Sequence, residues 1–143
     1  MGDAVMSGLA VAKATLARLD PVGGVLDTLE VPWNPQGYKL ARVAQGVPVA
    51  AGLPAGSGLD RFSTELFLDT TEEAGDARNA RRIAETLRSW MELLPESLLP
   101  PRLLFLWGSL RFAGVIVGLE EEWTRFDPDG TPVRGRLRIE LRG

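Results

Sequence analysis

The sequence predicts a mainly β, antiparallel protein with one flanking α-helix, and three observations carry that expectation. Residues 61–69 and 133–141 alternate between apolar and polar side chains, the period of a strand with one buried face. Residues 76–94 are the single stretch with apolar side chains at helical spacing. No strand–helix–strand rhythm runs along the chain, which argues against a parallel doubly wound sheet.

The elements follow in order. Residues 10–19 satisfy both helix propensity and strand alternation. Asp20-Pro21-Val22-Gly23-Gly24 stops the run, and spaced aliphatics at Val25, Leu29, Val31 and Trp33 suit a second strand. The two together resemble a hairpin, which favours strand for the first. Asn34-Pro35-Gln36-Gly37-Tyr38 is a turn and residues 38–43 a further short strand. Residues 44–59 are rich in Gly, Pro, Ala and Ser and support no regular element. They read either as a surface loop or as an arm that orders against a neighbouring copy.

In residues 61–69, Phe62, Thr64, Leu66 and Leu68 share one face, and Phe67 alone breaks the pattern on the other. Asp76 is the candidate N-cap of the helix, which presents Ile83, Leu87, Trp90, Met91 and Leu94 as its apolar stripe and ends at Pro95. Arg81–Glu85 and Arg88–Glu92 are spaced to pair along it. An apolar strand at residues 102–107, a Gly108-Ser109 turn, and a strand from 110 to 119 that extends towards Phe126 come next. Asp127-Pro128-Asp129-Gly130 is a turn before the last strand, whose arginines Arg134, Arg136, Arg138 and Arg142 share one face. One domain over residues 1–143 is expected, with no internal repeat.

Composition narrows the chemistry. The chain has no cysteine and no histidine, which removes disulfides, thiol catalysis, the commonest general base and the commonest metal ligand. A net charge of −3 gives no overall attraction for nucleic acid. Residues 1–14 lack the charge pattern of a secretory leader, and no apolar run is long enough to span a bilayer. Folding and assembly in the cytoplasm are expected, with no membrane partner. No phosphate-binding glycine loop is present. The carboxylates Asp69, Glu72, Glu73, Asp76 and Glu120 to Glu122 read as solvated groups before they read as catalytic ones. Asp127, Asp129 and Gly130 lack the distal ligands of a calcium loop. No cofactor, metal or catalytic residue is expected. The arginine row is either a solubilising face or a surface that pairs with Glu120, Glu121 and Glu122 of a neighbouring copy. The tryptophans Trp33, Trp90, Trp107 and Trp123 read as packing or interface residues.

An ordered set of short motifs adds to this reading. It comprises Lys13-Ala14-Thr15-Leu16, Trp33-Asn34-Pro35-Gln36-Gly37-Tyr38, Leu66-Phe67-Leu68-Asp69-Thr70, and Glu73, Gly75, Asp76 and Arg78. Pro100-Pro101, Leu106-Trp107-Gly108-Ser109, Phe112-Ala113-Gly114-Val115 and Phe126 through Gly130 to Thr131-Pro132-Val133-Arg134 complete it. In this order the motifs resemble the tube-like N-terminal domain of the inner-baseplate adaptors of contractile injection systems, which include phage-tail-like particles. The chain departs from that pattern at Trp33, Thr71 and Leu99. Many members carry a C-terminal LysM domain, and none is expected here after the last strand.

The resemblance implies a tail-tube-like barrel or sandwich and a hexameric ring between the spike hub and the inner tube, in a particle that is extracellular, cytoplasmic or phage-associated. It marks Trp33, Asn34, Pro35, Tyr38, Asp69, Thr70, Asp76, Arg78, Trp107, Gly108, Gly114, Gly130, Pro132 and Arg134 as motif or interface residues. Partners would be identical copies, the spike or hub protein, the inner tube protein and other baseplate components, but not nucleic acid. The rival readings are a module binding cargo or nucleic acid through the arginine-bearing last strand, and a carboxylate-dependent hydrolase.

Overall fold

A computed structural model describes residues 12–32, 34–42, 60–95 and 98–143. Trp33 and the Gly/Pro-rich stretch 44–59 lie outside them. The strands are β1 (Thr15–Leu19), β2 (Val25–Glu30), β3 (Tyr38–Ala41), β4 (Arg61–Asp69), β5 (Leu103–Trp107), β6 (Leu110–Phe126) and β7 (Pro132–Arg142). They form one seven-stranded sheet in the order β2-β1-β5-β6-β7-β4-β3, and every neighbouring pair is antiparallel. The fold is mainly β, as the alternation requires.

Local chemistry sets the hairpins. Between β1 and β2, the Asp20 carboxylate accepts the Val22 and Gly24 amides at 2.9 and 2.8 Å, and Gly23 takes φ +93°. This closes a turn that a β-branched residue at position 23 would resist. Arg18 and Asp27 then stand opposite one another and pair. The competition between helix and strand at residues 15–19 is decided by this pairing on one side and by β5 on the other.

The alternation in β4 and β7 meets across the ladder. Phe62 faces Leu141, Thr64 faces Ile139 and Leu66 faces Leu137, and all six are buried. β6 is the hinge of the sheet. Its first residues pair with β5 as far as Gly114, and from Val115 onward it pairs with β7. That transfer lets the sheet curl into a half-barrel. The Phe62 ring lies 4.7 Å from Phe105 and 5.5 Å from Phe112, although β4 is separated from β5 by two strands. The core fills the concave side, with Leu16, Leu66, Leu103 and Leu137 fully buried.

The helix is shorter than the sequence periodicity suggests. Gly75–Arg78 is a 3₁₀ turn, and only Arg81–Ser89 is α-helical (α1). Asp76 therefore lies in the 3₁₀ turn and does not cap α1. Asn79 breaks the two apart with extended backbone, and its side-chain oxygen accepts the Arg81 amide at 3.1 Å. The next amide, of Ala80, donates to the Pro132 carbonyl of β7 at 2.9 Å. A bond to the sheet thus replaces a bond along the predicted helix. At the other end the Ser89 hydroxyl donates to the Thr86 carbonyl at 2.6 Å, a local competitor for helical bonding. Ala84, Leu87 and Trp90 are buried in the same core as β4 and β7. Arg88 pairs with Glu121 of β6 at 2.9 Å, not with Glu92 as the helical spacing predicts.

Candidate assembly surfaces

Most of the motif residues near the helix converge on one junction. β4 ends at Asp69, and the Thr70 amide donates to the Val133 carbonyl at 2.8 Å. The Thr70 hydroxyl donates to the Arg78 carbonyl at 2.5 Å, which fixes the 3₁₀ turn over the end of the sheet. Arg78 then closes the junction. Its Nε and Nη2 bind both carboxylate oxygens of Asp127, at 2.6 and 2.7 Å. Its Nη1 donates to the carbonyls of Thr71 and Glu73, at 2.7 and 3.3 Å. A planar guanidinium can serve all four acceptors at once, whereas a lysine could not. Gly130, at φ +90°, and Pro132 shape the β6–β7 turn that carries Asp127. Arg134 donates to Asp69 at 3.1 Å, and the Asp69 carboxylate also accepts the Thr71 amide and hydroxyl. Among the described residues, Asp76 takes part through its carbonyl, which accepts the Asn79 amide at 3.2 Å.

Three carboxylates here are held below the ordinary carboxylate range. The bonds from the Thr71 hydroxyl and amide lower Asp69, with Arg134 adding to them. The Arg78 guanidinium lowers Asp127, and the Thr131 amide lowers Asp129. A carboxylate whose folded pKa lies below its unfolded value stabilises the fold above the unfolded value and loses that contribution as pH falls through the folded one. Unfolding midpoints should therefore fall with acid below about pH 4, and by less in Asp127→Asn. Equal slopes for the two proteins would show that Asp127 carries no such linkage.

A second group gathers where β2 hands over to β3. The Asn34 side chain accepts the Ala14 amide at 2.9 Å and donates to the Ala12 carbonyl at 2.7 Å. The Trp107 indole donates to the same carbonyl at 3.2 Å, and the Tyr38 ring meets Trp107 edge-on at 6.3 Å. Pro35 is buried, and the Thr64 hydroxyl holds the Gly37 carbonyl at 2.7 Å. Gly108, at φ +60°, makes the β5–β6 turn beside them. This group pins the start of β1 to the connection between the two edges of the sheet. Gly114 belongs to neither group and marks the point where β6 changes partner.

The outer face of β4, β7 and β6 answers the question of the arginine row. Arg134 pairs with Asp69 at 3.1 Å and Arg136 with Glu122 at 2.7 Å. Arg138 lies 3.6 Å from Glu65 and 4.0 Å from Glu120. These acids stand opposite the arginines in the strand register. Glu120 and Glu122 therefore pair within the chain, where the sequence left pairing with a neighbouring copy open. Glu65, missed from the sequence as a partner, is legible only once β4 and β7 are in register. The cleft lined by Glu65, Glu120, Glu121 and Glu122 opens to solvent and also contains Arg136 and Arg138, so its carboxylates serve as counter-ions. Among the described residues no cluster of His, Cys, Asp and Glu is arranged to hold a metal ion, and no helix is long and apolar enough to cross a membrane.

What remains unsatisfied is at the ends of the sheet. Among the described residues β2 and β3 each have no neighbour on one side, and β2 is exposed over nearly its whole length, with Val25 59% and Leu26 47% accessible. Among the described residues the curled sheet has two open edges, and on its outer face Arg134, Arg136 and Arg138 pair within the chain while Arg142 has no ion pair. The model of the contractile injection system tube protein family matches residues 21–143, and the chain belongs to that family. It is thus a structural component of a contractile injection system and not an enzyme. No curated protein matches the chain.

Proposed function

We propose that this chain forms a hexameric ring in the inner baseplate, joining the spike hub to the first layer of the inner tube and initiating tube assembly. Self-association follows from the tube protein family; the baseplate position rests on the ordered motifs from Lys13 to Arg134. The single observation that supports a ring best is β2, an edge strand with exposed Val25 and Leu26. An exposed apolar edge invites open-ended association, and cyclic closure satisfies it while limiting growth. The whole chain acts as one tube-like domain in this reading. Asn34, Tyr38, Asp69, Arg78, Trp107 and Arg134 hold the loops that meet neighbouring copies and adjoining layers. The chain assembles in the cytoplasm before or with the spike and tube proteins.

Electron microscopy of the purified chain mixed with its tube and hub proteins should show rings of tube diameter. Val25→Lys combined with Leu26→Lys should leave the monomer folded and abolish the rings. Rings that persist in this variant would remove β2 from the interface. A wild-type chain that stays monomeric and binds neither partner would overturn the proposal.

A further inference from the structure

We propose that Arg61 and Arg142 form a carboxylate-binding row on the outer face of the sheet, filled by an acidic side chain of a second protein. The inference goes beyond the ring and does not require it. The two arginines stand directly opposite one another at the end of the ladder between β4 and β7, and both are exposed. Ala41 of β3 flanks Arg61, and Val115 of β6 flanks Arg142. The row therefore holds two cations and no carboxylate. Among the described residues neither arginine makes an ion pair. The rest of the face is built differently. Arg134 pairs with Asp69 and Arg138 with Glu65, each acid directly across the same ladder, and Arg136 pairs with Glu122 of β6.

Like charges directly opposite one another destabilise a sheet. A carboxylate seated between the two guanidiniums reverses that effect, because each can donate a charge-assisted hydrogen bond to it. The neighbouring acids of the chain do not fill this place. Asp60, beside Arg61, pairs with Arg42 at 3.5 Å. Glu140 lies one row along, opposite Ser63 and Gly118. Its Oε1 lies 3.6 Å from the Cβ that an alanine at Gly118 would carry, so it leans towards β6 and away from Arg61. Lys39, opposite Ser63 on β3, is exposed and adds a third cation to this corner. Charge also selects the class of partner. Glu140 and, beyond it, Glu65 and Glu120 border the row on the same face. A run of phosphates laid along the face would meet these carboxylates, whereas a single acidic side chain meets the arginines alone. Two copies joined through this row would bring arginine to arginine, which favours a different protein.

The arginine side-chain N–H signals in the NMR spectrum of the full chain test this. The probes are a peptide alternating glutamate and glycine, its lysine counterpart, and a single-stranded thymidine oligonucleotide. At low salt the glutamate peptide should shift Arg61 and Arg142 and leave Arg134 and Arg136 in place, and the lysine peptide should shift none of them. Arg142→Gln should weaken binding of the glutamate peptide about tenfold. Arg142→Glu should abolish it and leave the unfolding midpoint at or above that of the wild type, because the like-charge pair is gone. A midpoint well below wild type in Arg142→Glu would show that the arginine serves the fold and overturn the proposal. So would an absence of shifts at Arg61 and Arg142, or equal shifts at the arginines already paired. Tighter binding of the oligonucleotide would assign the row to phosphate and overturn the acidic protein partner. Shifts that appear on concentrating the chain alone would assign it to a second copy, with the same consequence.

Discussion

Phe62→Ala is expected to cost about 3–5 kcal/mol of folding stability, the usual range for truncating a buried aromatic. Phe62 is fully buried, and its ring touches those of Phe105, Phe112 and Tyr38 at 4.7, 5.5 and 5.5 Å. It is the side chain that ties β4 and β3 to β5 and β6 across the concave side. Truncation removes both apolar burial and the ring contacts that hold the curl. For a chain of this size the unfolding midpoint should fall by about 10 °C or more. Phe62→Leu should recover part of the loss by refilling the space. A fall of only a degree or two in Phe62→Ala would mean that the curl is held elsewhere.

The second large effect is steric. An alanine at Gly114 would place its Cβ 2.5 Å from the Arg142 carbonyl oxygen, and one at Gly135 would sit 2.4 Å from the Glu122 carbonyl oxygen and from the Trp123 ring. Backbone cannot swing aside as a flexible side chain can, so each substitution has to separate two strands. Overpacking of this kind costs about 1–3 kcal/mol. Gly118 provides the control, because an alanine there would make an ordinary contact at 3.6 Å with Glu140. Chemical denaturation should show Gly114→Ala and Gly135→Ala well below wild type and Gly118→Ala close to it. Three equal results would refute the tight crossing of β6 and β7.

These positions also mark how far the sequence could be read. The strict alternation in β4 and β7 predicted both strands and their buried faces, because a period of two is imposed directly by the pleat. The helix is shorter than its periodicity implies because its boundary is a tertiary matter. The Ala80 amide bonds to Pro132, far along the chain, and no local pattern announces that exchange. Arg78 was singled out by motif, but its partner Asp127 read only as part of a turn. Their pairing depends on the β6–β7 turn folding back over the end of β4. The arginine row was legible as a row, while its partners emerged from register. Asn34 and Trp107 belong to separate motifs, and their common acceptor, the Ala12 carbonyl, becomes visible only when β1 lies beside β5.

Structure determination of the intact injection particle at side-chain resolution tests the proposed role most directly. A closed ring of this polypeptide is predicted at the base of the central channel, between hub and first tube layer, with β2 buried against an adjacent copy. A particle in which the chain is absent from the channel base, or lies there with β2 bare to solvent, would contradict that prediction.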